Sequence, residues 1–129
     1  MTDRELINIA VEASEKAYAP YSNFAVGAAL ECEDGTVYTG CNIENSAYGC
    51  TNCAERTAVF KAVSEGRRAF RRIAVYADGE DYCMPCGTCR QVLNEFAPTI
   101  EVLSVRGDGR YVSYSLKELL PRSFSLNTD

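Results

Sequence analysis

The sequence predicts an α/β fold: a three-layer α/β/α sandwich around a mixed sheet of five strands. Hydrophobic periodicity and turn residues first define the element order α-β-β-α-β-α-β-β-α along the chain. Helices also separate the central strands, which implies parallel neighbours joined by crossovers. The length of 129 residues suits one domain, residues 1–129, and an apolar content of 47% is enough for a packed core without disulfides.

The first third of the chain predicts a helix followed by a hairpin. Thr2 and Glu5 form a capping-box pattern at the start of a helix over residues 2–19, and Pro20 ends that helix. Apolar residues recur on one face of it, at Leu6, Ile9, Ala10, Ala13 and Ala17. The predicted hairpin is a strand over residues 24–30, a tight turn at Asp34-Gly35 and a returning strand over residues 37–42.

The rest of the chain alternates helices and strands. Continuous apolar runs predict strands buried on both faces, and Gly107-Asp108-Gly109 predicts that the last strand returns antiparallel. A second capping box, Ser115 with Glu118, opens a short final helix that ends at Pro121. The other predicted elements are a helix over residues 53–64, a strand over 73–77, a helix from about Cys86, and strands over 100–105 and 111–114.

Charge and cysteine usage narrow the class of function. The net charge of −5 argues against nucleic-acid binding, because proteins that bind the phosphate backbone usually present a basic surface. The N-terminal residues lack the apolar core of a signal peptide, and no stretch approaches about 18 apolar residues, so we expect a cytoplasmic protein with no membrane partner. Cytosolic thiols stay reduced, so the seven cysteines are expected to be metal ligands, catalysts or core residues. The chain has no histidine, so a metal site must use thiolates and carboxylates.

Two cysteine motifs begin predicted helices: Cys53-Ala54-Glu55 and Pro85-Cys86-Gly87-Thr88-Cys89. A helix N-terminus carries partial positive charge and favours thiolate, the form of cysteine that binds metals. If the two helix ends converge, three thiolates meet and leave the fourth tetrahedral position of zinc open for water, as in catalytic sites. Glu55 would move the proton of that water. Arg56, three positions after Cys53, would offset the negative charge through N–H···S contacts.

Spacing alone leaves two other interpretations open. Cys50 and Cys53 form a C-x-x-C unit, as do Cys86 and Cys89, and four thiolates would make a closed structural zinc site. In that case Glu55 is a surface residue and no hydrolysis occurs. Alternatively, the cysteines bind no metal and are small core residues.

A wider set of five segments lies in order along nearly the whole chain: Tyr18-Ala19-Pro20-Tyr21-Ser22-Asn23-Phe24-Ala25-Val26-Gly27-Ala28-Ala29, Gly40-Cys41-Asn42-Ile43-Glu44-Asn45, Cys53-Ala54-Glu55-Arg56-Thr57-Ala58, Pro85-Cys86-Gly87-x-Cys89-Arg90-Gln91-Val92 and Leu119-Leu120-Pro121-x-x-Phe124. Together they resemble the small homotetrameric zinc-dependent cytidine deaminases. The two cysteine motifs alone would admit other zinc deaminases. The segment Asn42-Ile43-Glu44-Asn45 narrows the resemblance to the nucleoside enzymes, and the lack of histidine agrees with their three-cysteine form.

The resemblance implies a reaction and its catalytic residues. Cys53, Cys86 and Cys89 bind one Zn²⁺ per chain, and Cys50 is not a ligand in the family pattern. Hydroxide on zinc attacks C4 of cytidine or deoxycytidine, with Glu55 as the proton shuttle, and ammonia leaves. The implied role is pyrimidine salvage on a free nucleoside, and the implied fold is that of the cytidine deaminases.

The resemblance also implies a set of substrate contacts: Phe24, Asn42, Glu44, Tyr48, Ala54 and Phe124. In this set Asn42 and Glu44 hold the ribose hydroxyls, and we expect buried groups of this kind to reject analogues that lack them. Phe24 packs on the nucleoside, and the backbone N–H of Ala54 binds the base carbonyl. Tyr48 and Phe124 would reach a neighbouring subunit's site. Without the resemblance, Phe24 could equally be a core residue, and Asn42 and Glu44 turn residues.

Overall fold

The sheet that the apolar runs predict is present in the computed structural model, which describes residues 1–126. The elements are α1 (Asp3–Ser14), β1 (Val26–Cys32), β2 (Val37–Cys41), a 3₁₀ turn (Tyr48–Cys50), α2 (Ala54–Ser64), β3 (Phe70–Ala77), α3 (Gly87–Phe96), β4 (Glu101–Val105), β5 (Tyr111–Ser115) and α4 (Leu116–Leu119). Both predicted capping boxes form, at Thr2 with Glu5 and at Ser115 with Glu118. Among residues 1–126, no helix combines the length and the apolar character needed to cross a membrane.

The strand order β2-β1-β3-β4-β5 confirms a mixed five-stranded sheet but corrects the expected strand neighbours. Only β3 and β4 are parallel neighbours, whereas β1 pairs antiparallel with both β2 and β3. The crossover through α2 therefore joins two strands that run in the same direction with β1 between them. The parallel direction of β2 and β3 was predicted correctly. Their adjacency was predicted wrongly, because β1, the hairpin partner of β2, lies between them.

Helices cover both faces of the sheet, which confirms the three layers. On one face α1 packs through Leu6, Ile7 and Ala10 against alternate residues of the central strands. On the other face, α2 and α3 bury Ala58, Leu93 and their neighbours against the remaining strand residues. Glycine permits close contact on each face: a Cβ on Gly27 would overlap the backbone of α1, and one on Gly40 would overlap that of α2.

Two predicted boundaries differ from the structure at the site end of the molecule. The helix α1 ends at Ser14 rather than at residue 19, because Tyr18 pairs with the segment after β2: its N–H donates to Asn42 O over 3.0 Å. The strand β1 begins at Val26 rather than at residue 24. Before it, Phe24 O accepts a hydrogen bond from the Asn42 side chain instead of from the backbone of a neighbouring strand.

The topology brings two helix N-termini together. Because β2 and β3 run in the same direction and each leads to a helix on the same face, α2 and α3 both begin at one end of the sheet. The loops at this end carry the two cysteine motifs.

Candidate active site

Three thiols meet where α2 and α3 begin. Cys53 is the N-cap residue of α2, Cys86 is the N-cap residue of α3, and Cys89 lies buried in the first turn of α3. The Cys53 and Cys86 sulfurs are 3.8 Å apart, and those of Cys86 and Cys89 are 3.4 Å apart. All three sulfurs lie within 4.8 Å of one another. Neither N-cap side chain accepts a capping hydrogen bond, so neither sulfur is used as a helix cap.

The donor set fits zinc. Tetrahedral zinc with Zn–S bonds of about 2.3 Å places its sulfur ligands about 3.8 Å apart, close to the observed spacing. Within residues 1–126, the only group of three or more potential ligands is Cys53, Cys86 and Cys89. Cys50 lies exposed in the 3₁₀ turn and outside that group. The geometry therefore supports three thiolates rather than four.

The charge state of the cluster favours metal binding. The pKa of Cys53 is lowered to about 5, first by a hydrogen bond with the Cys89 thiol and further by Arg56, whose Nη2 donates to Cys53 Sγ over 3.2 Å. The pKa of Cys89 is raised by its hydrogen bond to Cys53 and by burial. The low pKa of Cys53 favours its thiolate, and a divalent cation bound to the cluster would displace the protons of the other thiols. Arg56 supplies positive charge where three thiolates accumulate negative charge.

Glu55 projects from the first turn of α2 into the interior. It is only 4% exposed, and burial raises its pKa to about 7, with a smaller contribution from the nearby Cys53 charge. A carboxyl that titrates near neutrality can both take up and release a proton at physiological pH. Its position beside the thiols places that capacity next to the metal ligands.

A cavity of about 290 Å³ connects the Cys53 and Cys86 thiols with the start of β1. It is lined by Cys53, Glu55 and Cys86, and by four of the residues predicted to bind substrate: Phe24, Asn42, Glu44 and Ala54. A larger cleft of about 670 Å³ lies between α1 and α2, beside Lys16 and Lys61, and contains none of the three thiols. Chemistry rather than size therefore identifies the smaller cavity as the candidate site.

The polar side chains opposite the thiols are already engaged by the loop before β1. Asn42 accepts from Val26 N–H over 2.9 Å and donates to Phe24 O over 2.7 Å. The Glu44 carboxylate accepts from the N–H groups of Tyr21 and Ser22, over 3.0 and 3.1 Å, and from the Ser22 hydroxyl. These bonds hold the pKa of Glu44 below its ordinary value, the Ser22 hydroxyl contributing most.

Two predicted contacts lie outside the cavity of a single chain. Tyr48 is 88% exposed on the 3₁₀ turn. Phe124 is 68% exposed, although Gln91 Nε2 donates to its backbone oxygen over 2.8 Å and ties the segment to α3. Both rings are large apolar groups in solvent, as surfaces buried by another chain often are.

Sequence reasoning missed several residues of the site. Ser22, Cys83 and Met84 line the cavity, and no local pattern marks residues of an irregular loop as pocket walls. Arg90 belonged to a recognised motif but was assigned no role. It donates to Pro85 O over 2.8 Å and to Leu119 O over 2.7 Å, which fixes the start of α3 relative to α4.

Comparison with known proteins agrees with this geometry. Residues 1–104 match the family model of the cytidine and deoxycytidylate deaminase zinc-binding region. A cytidine deaminase of Sporosarcina psychrophila is 52% identical over 128 residues, covering 97% of this chain and 93% of the relative. The crystal structure of cytidine deaminase from Burkholderia pseudomallei superposes with a TM-score of 0.93 at 50% identity, over 96% of this chain and 100% of the other. Blasticidin-S deaminase of Bacillus cereus is more distant, 32% identical over 97% of this chain and 94% of its own.

Proposed function

Because the chain belongs to the cytidine and deoxycytidylate deaminase zinc-binding family, we propose that it hydrolyses cytidine and deoxycytidine to uridine and deoxyuridine, with release of ammonia. The observation that carries this function is the three-thiol cluster with a buried, near-neutral carboxyl beside it in one cavity. A closed structural metal site would have no use for such a carboxyl or for a cavity that reaches the ligands.

Cys53, Cys86 and Cys89 would hold one zinc ion per chain. Bound there, zinc supplies a Lewis acid that lets water act as a nucleophile near neutral pH. Arg56, hydrogen-bonded to Cys53, offsets the thiolate charge that would otherwise weaken that acidity. The partial positive charge at the N-termini of α2 and α3 also offsets the thiolate charge.

Glu55 moves the protons of the reaction. It accepts one proton of the attacking water and delivers it to N3 of the ring. It then passes the second proton of that water to the exocyclic amine, which leaves as ammonia while the C4 carbonyl forms. The raised pKa suits both steps, because the group is neither a permanent acid nor a permanent base at pH 7. Its burial in the same cavity keeps competing water away from the carboxyl.

The remaining lining residues orient the nucleoside. Asn42 and Glu44 face the sugar hydroxyls, Phe24 packs on the nucleoside, and the backbone N–H of Ala54 at the start of α2 binds the base carbonyl. The net charge of −5 favours a free nucleoside over a polynucleotide. The need for three reduced thiols fits the cytoplasm, where the chain would act as a single catalytic domain in pyrimidine salvage.

The active form is a homotetramer in this proposal. The exposed Tyr48 and Phe124 rings would complete the site of a neighbouring subunit. Light scattering at assay concentration tests this directly, and a fully active monomer would contradict it.

Ultraviolet absorbance tests the reaction itself. The zinc-loaded protein is expected to convert cytidine to uridine, to lose activity with a strong chelator and to recover it when zinc is restored. A cytosine-containing oligonucleotide, offered in parallel, is expected to remain unchanged. A zinc-loaded, folded protein that leaves cytidine intact would overturn the proposal.

A further inference from the structure

The loop between β3 and α3, residues 78–86, forms one wall of the nucleoside cavity. Cys83 and Met84 line that cavity, and the loop ends at the Cys86 thiol. The Phe24 ring, on the opposite wall, approaches the loop at Gly79, where an added Cβ would lie 3.9 Å from the ring. Because this loop contains no helix or strand, its position depends on contacts from neighbouring elements.

The end of β4 and the turn that follows it supply those contacts through their backbone. Gly107 N–H donates to Gly79 O over 3.0 Å, and Cys83 N–H donates to Val105 O over 3.2 Å. A Cβ on Gly107 would lie 2.8 Å from Asp78 Oδ1 and 2.9 Å from Gly79 N. The turn and the loop therefore touch so closely that even a methyl group at residue 107 must displace the loop.

One side-chain contact adds to this attachment. The Arg106 guanidinium lies over the Tyr82 ring, 5.3 Å from its centroid, immediately before Cys83 in the loop. Arg106 Nη2 donates to Asp108 Oδ2 over 3.0 Å, and Asp108 Oδ1 accepts from Arg110 N–H, so the turn itself orients the guanidinium. In the part of the chain that is described, the buried Arg106 Nε has no hydrogen-bond partner. Among the described residues, the Arg106 guanidinium therefore reaches the loop between β3 and α3 through its stack on Tyr82.

We propose that Arg106 is a positioning residue for the nucleoside pocket, acting through its stack on Tyr82. The stack and the Gly107 contact hold the loop so that Cys83 and Met84 present an apolar wall to the cytosine ring. Such a wall suits the C5–C6 edge of the pyrimidine, which carries no hydrogen-bonding group. This inference rests on the proposed function, since it assigns the wall to nucleoside binding.

The test compares paired substitutions in the zinc-loaded protein. Arg106→Met and Tyr82→Leu remove the stack and are expected to raise the KM for cytidine, and the inhibition constant of uridine, about two- to fivefold. The kcat is expected to stay within about twofold and the zinc content to stay unchanged, because the metal ligands and Glu55 are untouched. Arg106→Lys and Tyr82→Phe keep a cation over a ring and are expected to restore most of the affinity.

A double variant and a control separate this role from general destabilisation. If both residues act through the stack, Arg106→Met with Tyr82→Leu is expected to be no weaker than either single variant. Arg110 lies in the same turn and its side chain pairs with Asp108, so Arg110→Met is the control and is expected to have the parental KM. Gly107→Ala must displace the loop and is expected to raise the KM for cytidine more than Arg106→Met or Tyr82→Leu does.

The outcomes distinguish the two proposals. A parent protein that does not convert cytidine defeats the proposed function. A parent that does, together with Arg106→Met, Tyr82→Leu and Gly107→Ala variants of parental KM, defeats this inference alone. Additive effects in the double variant, or a fall in kcat or zinc content at unchanged KM, would also overturn it.

Discussion

The Glu55 carboxyl is expected to destabilise the metal-free fold while it serves catalysis. Burial raises its pKa from 4.5 to about 7, so the folded protein resists the ionisation that the unfolded chain accepts readily. Below pH 4.5 the carboxyl is neutral in both states and carries no penalty. Above that pH the penalty grows by about 1.4 kcal/mol per pH unit and levels off above pH 7. At pH 7 it amounts to about 3 kcal/mol.

Glu55→Gln removes this penalty because the amide is neutral at every pH and close to the carboxyl in size. The metal-free variant is therefore expected to be more stable than the metal-free parent by about 3 kcal/mol at pH 7 and by almost nothing near pH 4.5. The zinc-loaded variant is expected to lose activity by a factor of about 10²–10⁴ or more, because Glu44, the other carboxylate that lines the cavity, is bonded to Tyr21 and Ser22 and does not replace the proton shuttle.

Urea unfolding of chelator-treated proteins measures the first effect, at pH 4.5, 6 and 7.5 and at one fixed protein concentration. Cytidine turnover of the zinc-loaded proteins measures the second. Glu95→Gln is the matched control, since Glu95 is exposed on α3 and its substitution should change stability by less than about 0.5 kcal/mol. A Glu55→Gln protein no more stable than the parent at pH 7.5, or equally stabilised at pH 4.5, would refute the burial argument. Near-parental turnover would refute the proton-transfer role.

Three further substitutions test other parts of the molecule. Cys50→Ser is expected to keep about one zinc per chain by metal analysis, together with its activity; loss of the metal would favour a four-thiolate site. Asn42→Ala and Glu44→Ala are expected to raise KM or lower kcat/KM by the equivalent of roughly 1–3 kcal/mol with zinc retained, whereas parental kinetics would remove both from the sugar site. Ser104→Ala is expected to stabilise the protein by about 1 kcal/mol in thermal unfolding, because the buried Ser104 hydroxyl has no hydrogen-bond partner within residues 1–126. Ser113→Ala removes an exposed hydroxyl that is hydrogen-bonded to the Glu101 carboxylate, and it should not stabilise the protein. Equal effects of the two substitutions would contradict the reasoning.

Features set by local interactions were predictable from the sequence. The capping box at Thr2 involves residues three positions apart, and the structure forms it as expected. The same holds for the turn at Gly35, whose φ of 92° requires the conformational freedom of glycine. The fold class followed from the order of such elements, because few layer arrangements satisfy an alternation of helices and strands.

Features set by contacts between distant segments were not predictable. The position of β1 between β2 and β3 depends on which strands pair. A right-handed crossover through α2 can join β2 to an adjacent strand or pass over one strand, so the element order alone did not place β1. The end of α1 depends on Tyr18 pairing with a segment more than 20 residues away. Likewise, Cys83 and Met84 line the cavity from a loop whose backbone bonds to Val105 and Gly107, more than 20 residues away in the sequence.

The hydrogen bonds of Asn42 and Glu44 change how the site would distinguish a nucleoside from a bare base. Both side chains are only half-buried and already bonded to the loop before β1, so an empty sugar site does not leave them without partners. Glu44 accepts three bonds where a carboxylate has about four positions, and Asn42 keeps one donor and one acceptor position. The expected rejection of analogues through unsatisfied buried groups is therefore weak here. Discrimination must come from the bonds that a sugar adds to groups already oriented by the loop, a gain without the cost of ordering them.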